Sequence, residues 1–208
     1  AALSACATAP VNYVGEDAPR TAQFTPLKSA RPVIGLVLGA GGSRGFAHVG
    51  VIKALEAAGI EPDLVVGASS GAIVASLYAG GHRSASLEKI ALQVEDNDLL
   101  DFTLFGPGFI EGDRLQAFVN ETLGNRPIEA LVKPFAAIAA ERETSRMKVF
   151  NRGNTGLAVR ASASVPRMFW PVIIGGAEYV DGGMARRVPA PVAREMGADI
   201  VIAVDVSW

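Results

Sequence analysis

The sequence predicts an α/β fold with a largely parallel central sheet, and three observations carry that expectation. Val33-Ile34-Gly35-Leu36-Val37-Leu38 is a continuous apolar run closed by Gly39, as in a strand buried on both faces. A glycine-rich turn and a helical spacing of apolar residues follow it. Leu64-Val65-Val66, closed by Gly67, then opens a second strand–turn–helix unit.

The remaining elements follow in order. After the first turn, Val51, Ala54, Leu55 and Ala58 recur at helical spacing, with Gly59 as a stop. The second helix places Ala72, Ala75, Ser76 and Ala79 on one face, small residues that let it lie close to a sheet. Ser86 is expected to cap a third helix with Leu87, Ile90, Ala91 and Val94 inward, and Asp113 a fourth with Leu115, Phe118 and Val119. Between them Leu99, Leu100, Phe102, Leu104, Phe105, Phe109 and Ile110 crowd around Gly106-Pro107-Gly108. That stretch is too apolar for a solvated linker, and reads either as core packing or as a lid and acyl-chain wall. Phe135–Ala139 and Met147–Phe150 read as strands and Thr155–Ala163 as a helix. Val172–Ile174 and Glu178–Val180 form a hairpin around Gly175-Gly176-Ala177. Pro191–Met196 is a short helix, and Ile200–Val206 a last buried strand.

Composition bounds the function classes. The 208 residues suit one domain, here residues 32–208, with residues 1–31 as a signal-peptide remnant (Ala1 to Ala5) followed by a tether or loosely packed arm. The chain stops just after its last strand, which leaves room for a further C-terminal portion. A net charge of −2 gives no general attraction to nucleic acid. No apolar run reaches the roughly 18 residues that cross a bilayer. The single cysteine, Cys6, follows Leu3-Ser4-Ala5, a pattern resembling the lipobox of bacterial lipoproteins. A lipidated Cys6 would place the protein at the bacterial cell envelope, facing the periplasm, in peripheral contact with a membrane. The alternative is a tail that happens to contain a cysteine. No metal or other cofactor is implied, because the sequence holds no His/Cys cluster.

Three motifs carry chemistry. Gly67-Ala68-Ser69-Ser70-Gly71 is a G-x-S-x-G elbow between a buried strand and a small-residue helix, which would expose the Ser69 hydroxyl on a tight turn. Gly39-Ala40-Gly41-Gly42-Ser43-Arg44-Gly45 offers successive amides at a helix start, an anion-binding nest. A dinucleotide fingerprint fails there, since Arg44 stands where the third glycine belongs, and no P-loop pattern occurs. Asp181-Gly182-Gly183 follows the hairpin strand and reads either as a positioned carboxylate or as an ordinary turn. The two histidines suit supporting roles: His48 structural, beside the glycine-rich loop, and His82 solvated in a turn. Neither follows Asp181, as the histidine of a Ser–acid–His triad would.

Together these motifs resemble the patatin-like phospholipase family. The likeness runs from Val33 to Val206 and includes Gly41-Gly42-x-Arg44-Gly45, the Ser69 elbow, Ala161-Ser162 before Val165-Pro166, and Tyr179-Val180-Asp181-Gly182-Gly183. It implies a three-layer α/β fold with helices on both faces of the sheet. It also implies a Ser69–Asp181 dyad, an oxyanion hole from the amides of Gly41 and Gly42 supported by Arg44, and elbow glycines at Gly67 and Gly71. The implied activity is hydrolysis of phospholipids, lysophospholipids or related fatty-acyl esters. A non-catalytic lipid-binding module and an acyltransferase are the alternatives. Ala40 departs from the family, which often has glycine there; alanine fits only with negative φ.

Overall fold

The computed structural model describes residues 10–104 and 106–207; Cys6, with the lipobox reading, and Phe105 lie outside them. The strands are β1 (Asn12–Tyr13), β2 (Ile34–Leu38), β3 (Leu64–Ala68), β4 (Phe135–Glu141), β5 (Met147–Phe150), β6 (Val172–Ile174), β7 (Ala177–Asp181) and β8 (Ile200–Val204). The helices are α1 (Ala47–Ala57), α2 (Ser70–Ala79), α3 (Ser84–Gln93), α4 (Asp96–Leu99), α5 (Asp113–Thr122), α6 (Thr155–Ala163) and α7 (Ala190–Glu195). None of the described helices is long and apolar enough to cross a membrane.

All eight strands join one sheet, and it is mixed. β8, β2, β3 and β4 run parallel, as the strand–helix repeat predicts, whereas β5 and β7 pair antiparallel with β4. The antiparallel part follows from short connections: a two-residue turn such as Gly175-Gly176, both at positive φ, can only reverse the chain.

The pleat sorts side chains into two cores. Leu36, Leu38, Val65, Phe135 and Ala137 face a large cluster shared with α1, α2, α3, α5 and α6. Val37, Val66, Ala136 and Ile138 alternate with them and face a smaller cluster with α7. Helices therefore cover both faces, in three layers.

Several boundaries differ from expectation. From residue 10 onward the arm is packed against the domain: β1 pairs with β6, Arg20 bridges Arg152, and Phe24 and Leu27 cover the smaller core. Its apolar residues are spaced irregularly, so no periodicity announces them. In α1 the buried residues are His48, Val49 and Ile52, and Ala54 and Ala58 are exposed. α3 begins at Ser84, whose amide and hydroxyl bond to Glu56, so Ser86 is not its cap. For α5 the cap is remote: the Asp101 carboxylate accepts from the amides of Gly112, Asp113 and Arg114, at 2.6, 2.7 and 3.1 Å. Asp113 instead pairs with the buried Arg160. His82 is half-buried, bonded to Ser86 Oγ at 2.9 Å and to the Thr122 carbonyl at 3.3 Å. β8 ends at Val204 and is half-exposed, because it is an edge strand with β2 as its neighbour.

Candidate active site

The register of three strands brings Ser69 and Asp181 together. Gly67 and Ala68 of β3 face Ala137 and Ile138 of β4, and Asp181 of β7 faces Ala139. β5 faces Ala137 through Ala140 and so occupies the opposite edge of β4. β3 and β7 must then lie end to end along the same edge, running toward each other. Their last residues meet at consecutive positions of β4, and Ser69 is the next residue after β3. The Ser69 hydroxyl donates a hydrogen bond to Asp181 Oδ2.

The elbow has the backbone that this placement requires. Ser69 has φ 54° and ψ −129°, outside the regions that L-residues favour, at a cost of about 1–3 kcal/mol. Close packing holds it there: a Cβ on Gly71 would lie 2.2 Å from the Leu38 carbonyl oxygen, and one on Gly67 would lie 2.4 Å from Ala72 Cα. The turn closes with the Ala72 amide donating to the Ser69 carbonyl at 2.8 Å. Ser162 adds a further tie. Its hydroxyl accepts from the Ser69 amide at 3.0 Å and donates to the Ile138 carbonyl, joining elbow, α6 and β4. Ser162 stands in the motif set of the sequence, but nothing in the sequence signals this bond to Ser69.

Asp181 is 7% exposed. Its Oδ1 accepts from the Gly183 amide at 2.7 Å, and its own amide donates to the Ser164 carbonyl at 2.9 Å. Burial pushes its carboxyl above the ordinary carboxylate value, opposed by the hydrogen bonds from Ser69 and Gly183. A carboxylate so placed is a stronger base than one in water and already holds the hydrogen bond along which a proton would move.

The glycine-rich loop runs beside the elbow. A Cβ on Gly41 would lie 2.4 Å from Val206 Cγ2, while Gly42 has φ +58° and needs glycine for its backbone alone. Among the described residues, neither amide has a protein acceptor. Ala40 does not have positive φ, so it is compatible with the loop. The Arg44 amide closes the turn onto the Gly41 carbonyl at 3.2 Å. Its side chain is exposed and has no hydrogen bond or ion pair among the described residues, so it braces the loop through its backbone. Behind the loop, buried His48 donates from Nε2 to the Gly39 carbonyl at 2.8 Å, leaving Nδ1 unprotonated and without a partner. Burial lowers its basicity, partly offset by that bond, so the ring is neutral.

A cavity of about 380 Å³ adjoins Ser69. Its wall is mostly apolar, built from α2, α3 and α5 with Leu99, Leu100, Met168 and Phe169. The apolar 99–110 stretch thus divides. Leu99 and Leu100 form wall, Ile110 is buried, and Phe102, Leu104 and Phe109 are exposed. Away from the cavity, Asp101, Glu111 and Asp113 bring carboxylate oxygens within 4.8 Å of one another. Asp101 is engaged by the three α5 amides and Asp113 by Arg160.

Residues 36–194 match the patatin-like phospholipase family. The chain is 34% identical over 182 residues to an uncharacterized NTE family protein of Mycobacterium tuberculosis, an alignment covering 86% of this chain and 50% of the relative. It is 36% identical over 182 residues to patatin-like phospholipase domain-containing protein 6 of Homo sapiens, covering 83% of this chain and 13% of that protein. Among solved structures, VipD of Legionella pneumophila superposes with a TM-score of 0.64 at 16% identity, over 83% of this chain and 50% of VipD. A structure of SpcU in complex with ExoU of Pseudomonas aeruginosa gives a TM-score of 0.54 at 18% identity, over 69% of this chain and 39% of that one. At such identities the likeness is one of fold. The chain spans half the length of its mycobacterial relatives. Matched over most of its length in sequence and likewise in fold, the chain belongs to the patatin-like phospholipase family.

Proposed function

We propose that the protein is a serine acyl-ester hydrolase acting on phospholipids, lysophospholipids or related fatty-acyl esters. The observation that carries this reading is the Ser69–Asp181 hydrogen bond at the edge of an apolar cavity. In the proposed reaction Ser69 Oγ bonds to the ester carbonyl carbon while its proton passes to Asp181 Oδ2. The tetrahedral oxyanion is held by the Gly41 and Gly42 amides; losing one such donor typically costs about 3 kcal/mol of transition-state stabilisation. As the intermediate collapses, the alcohol leaves with the proton from Asp181, giving an acyl-enzyme. Water then attacks the acyl carbon, Asp181 again takes a proton, and Ser69 is regenerated with release of the fatty acid. The cavity wall suits an acyl chain, because apolar surface gains free energy by leaving water for it.

At the level of the cell, we propose lipidation of Cys6 and attachment to the bacterial envelope on its periplasmic side; Leu3-Ser4-Ala5-Cys6 supports this reading.

Fluorophosphonate labelling and hydrolysis of a p-nitrophenyl ester test the reaction. We expect label on Ser69, and Ser69→Ala to lose at least about a thousandfold in kcat/KM with an unchanged circular dichroism spectrum. A Ser69→Ala protein that keeps most of its activity contradicts the reading. A lipid-binding module would remain unlabelled, and an acyltransferase would move the acyl group to an added alcohol.

A further inference from the structure

Three fully buried serines differ in where their hydroxyls go. Ser76 donates to the Ile73 carbonyl and Ser164 to the Arg160 carbonyl, both at 2.8 Å. These are the local bonds by which a serine satisfies itself on its own helix. Ser162, on α6, makes no such bond. Its hydroxyl reaches out of the helix, accepting from the Ser69 amide at 3.0 Å and donating to the Ile138 carbonyl. Its donor is thereby spent on β4 and an acceptor site on the backbone of the nucleophile.

The same end of α6 reaches the other member of the pair. The Ser164 carbonyl, two residues on, accepts from the Asp181 amide at 2.9 Å. The Ile138 carbonyl that takes the Ser162 proton also borders Gly182, where a Cβ would overlap its oxygen. In the sheet, Ile138 stands opposite Ala68, the residue before Ser69, and Ala139 stands opposite Asp181. One hydroxyl is therefore joined directly to Ser69 and, through Ile138, to the backbone that follows Asp181. Ser69 needs such a hold, because φ 54° with ψ −129° is not a conformation that a serine adopts unaided. Without Ser162 its buried amide would also lack an acceptor.

We propose that Ser162 is a positioning residue for the Ser69–Asp181 pair: its hydroxyl holds the Ser69 amide against β4 and so aims Ser69 Oγ at Asp181 Oδ2. The role rests on the hydrolase reading. Ser162 is not among the residues that line the cavity, so a bound ester does not meet it. Losing its bond should therefore act on the chemical step and leave substrate binding alone. The bond also commits the Ser69 amide, which leaves the tetrahedral oxyanion to the amides of the glycine-rich loop.

Steady-state hydrolysis of a p-nitrophenyl ester tests the role, at a temperature where circular dichroism shows each variant folded. A misplacement of about 1 Å can cost about a hundredfold in rate, so Ser162→Ala is expected to lose at least about thirtyfold in kcat, with KM within about twofold of the parent. Ser162→Cys keeps nearly the same volume but is a weak donor and acceptor, and is expected to lose at least about tenfold in kcat. Ser76→Ala deletes an equally buried hydroxyl whose bond stays within α2, and is expected to keep kcat within about twofold. Parent-like kcat in Ser162→Ala overturns the role. Parent-like kcat in Ser162→Cys also overturns it, since volume and not the bond would then matter. A loss carried by KM, or an equal loss in Ser76→Ala, is likewise against it. Failure of both Ser162 variants to fold overturns it too, because the residue would then serve the fold. A parent that neither takes a fluorophosphonate label nor hydrolyses the ester removes the hydrolase reading and this role with it. An active parent with unaltered Ser162 variants removes this role alone.

Discussion

At the scale of single residues, Asp181 has two competing demands. As a base it must be ionised, yet burial favours its protonated form. Activity should therefore fall as pH drops through a value above the ordinary aspartate value, and the pH profile of kcat/KM reads this directly. An acid limb at or below pH 3.8, the ordinary value, would contradict it. The same burial acts on stability with a definite sign. The folded protein holds this proton more tightly than the unfolded chain. The favourable contribution is therefore present at low pH and lost as pH rises through the raised folded value. At neutral pH the ionised Asp181 is a net cost. Asp181→Asn should abolish hydrolysis and yet raise the unfolding midpoint at pH 7, by about 2–4 °C, with a smaller gain in acid. A lowered midpoint at pH 7 would mean that the hydrogen bonds to Ser69 and Gly183 outweigh the desolvation.

At the scale of elements, the site depends on backbones that touch. Because the carbonyls of Leu38 and Gly39 occupy the space where a Gly71 side chain would be, α2 can start only if residue 71 is glycine. Gly71→Ala must push α2 away from β2 and is expected to cost at least about 3 kcal/mol, read as a shift in the denaturation midpoint. α5, which supplies Leu115 and Phe118 to the cavity wall, depends on a cap contributed twelve residues before its first residue. Asp101→Ala leaves three amides without their carboxylate and should destabilise by about 1–2 kcal/mol, while Asp101→Asn should recover part of that. The elbow and the first two strand–helix units were legible in the sequence, since glycines and apolar runs mark them locally. The α5 cap was not: Asp101 lies in an apolar stretch, and its function appears only once the chain folds back over it.

At the scale of the whole molecule, residues 10–31 of the N-terminal arm are part of the fold. β1 extends the sheet beside β6, Tyr13 Oη accepts from Arg160 at 3.1 Å, and the Leu27 amide donates to the Met196 carbonyl at 3.0 Å. Deleting residues 1–31 should lower the unfolding midpoint by several degrees, since it exposes the smaller core and leaves Arg160 with fewer partners. A simple tether would leave the midpoint unchanged.

The strand–helix units, the Ser69 elbow and the glycine-rich loop can be read without coordinates, because each is encoded within a few consecutive residues by chain geometry and apolar spacing. The sequence also offers Asp181 as a candidate, with an ordinary turn as the competing reading. That β3 and β7 share one edge of β4 and end against each other emerges from the folded chain alone. Strand register is a long-range property, fixed by which side chains fill the two cores together, and no local pattern records it. The same holds for the apolar 99–110 stretch, whose division into cavity wall, core and exposed loop depends on its docking against residues 168–170.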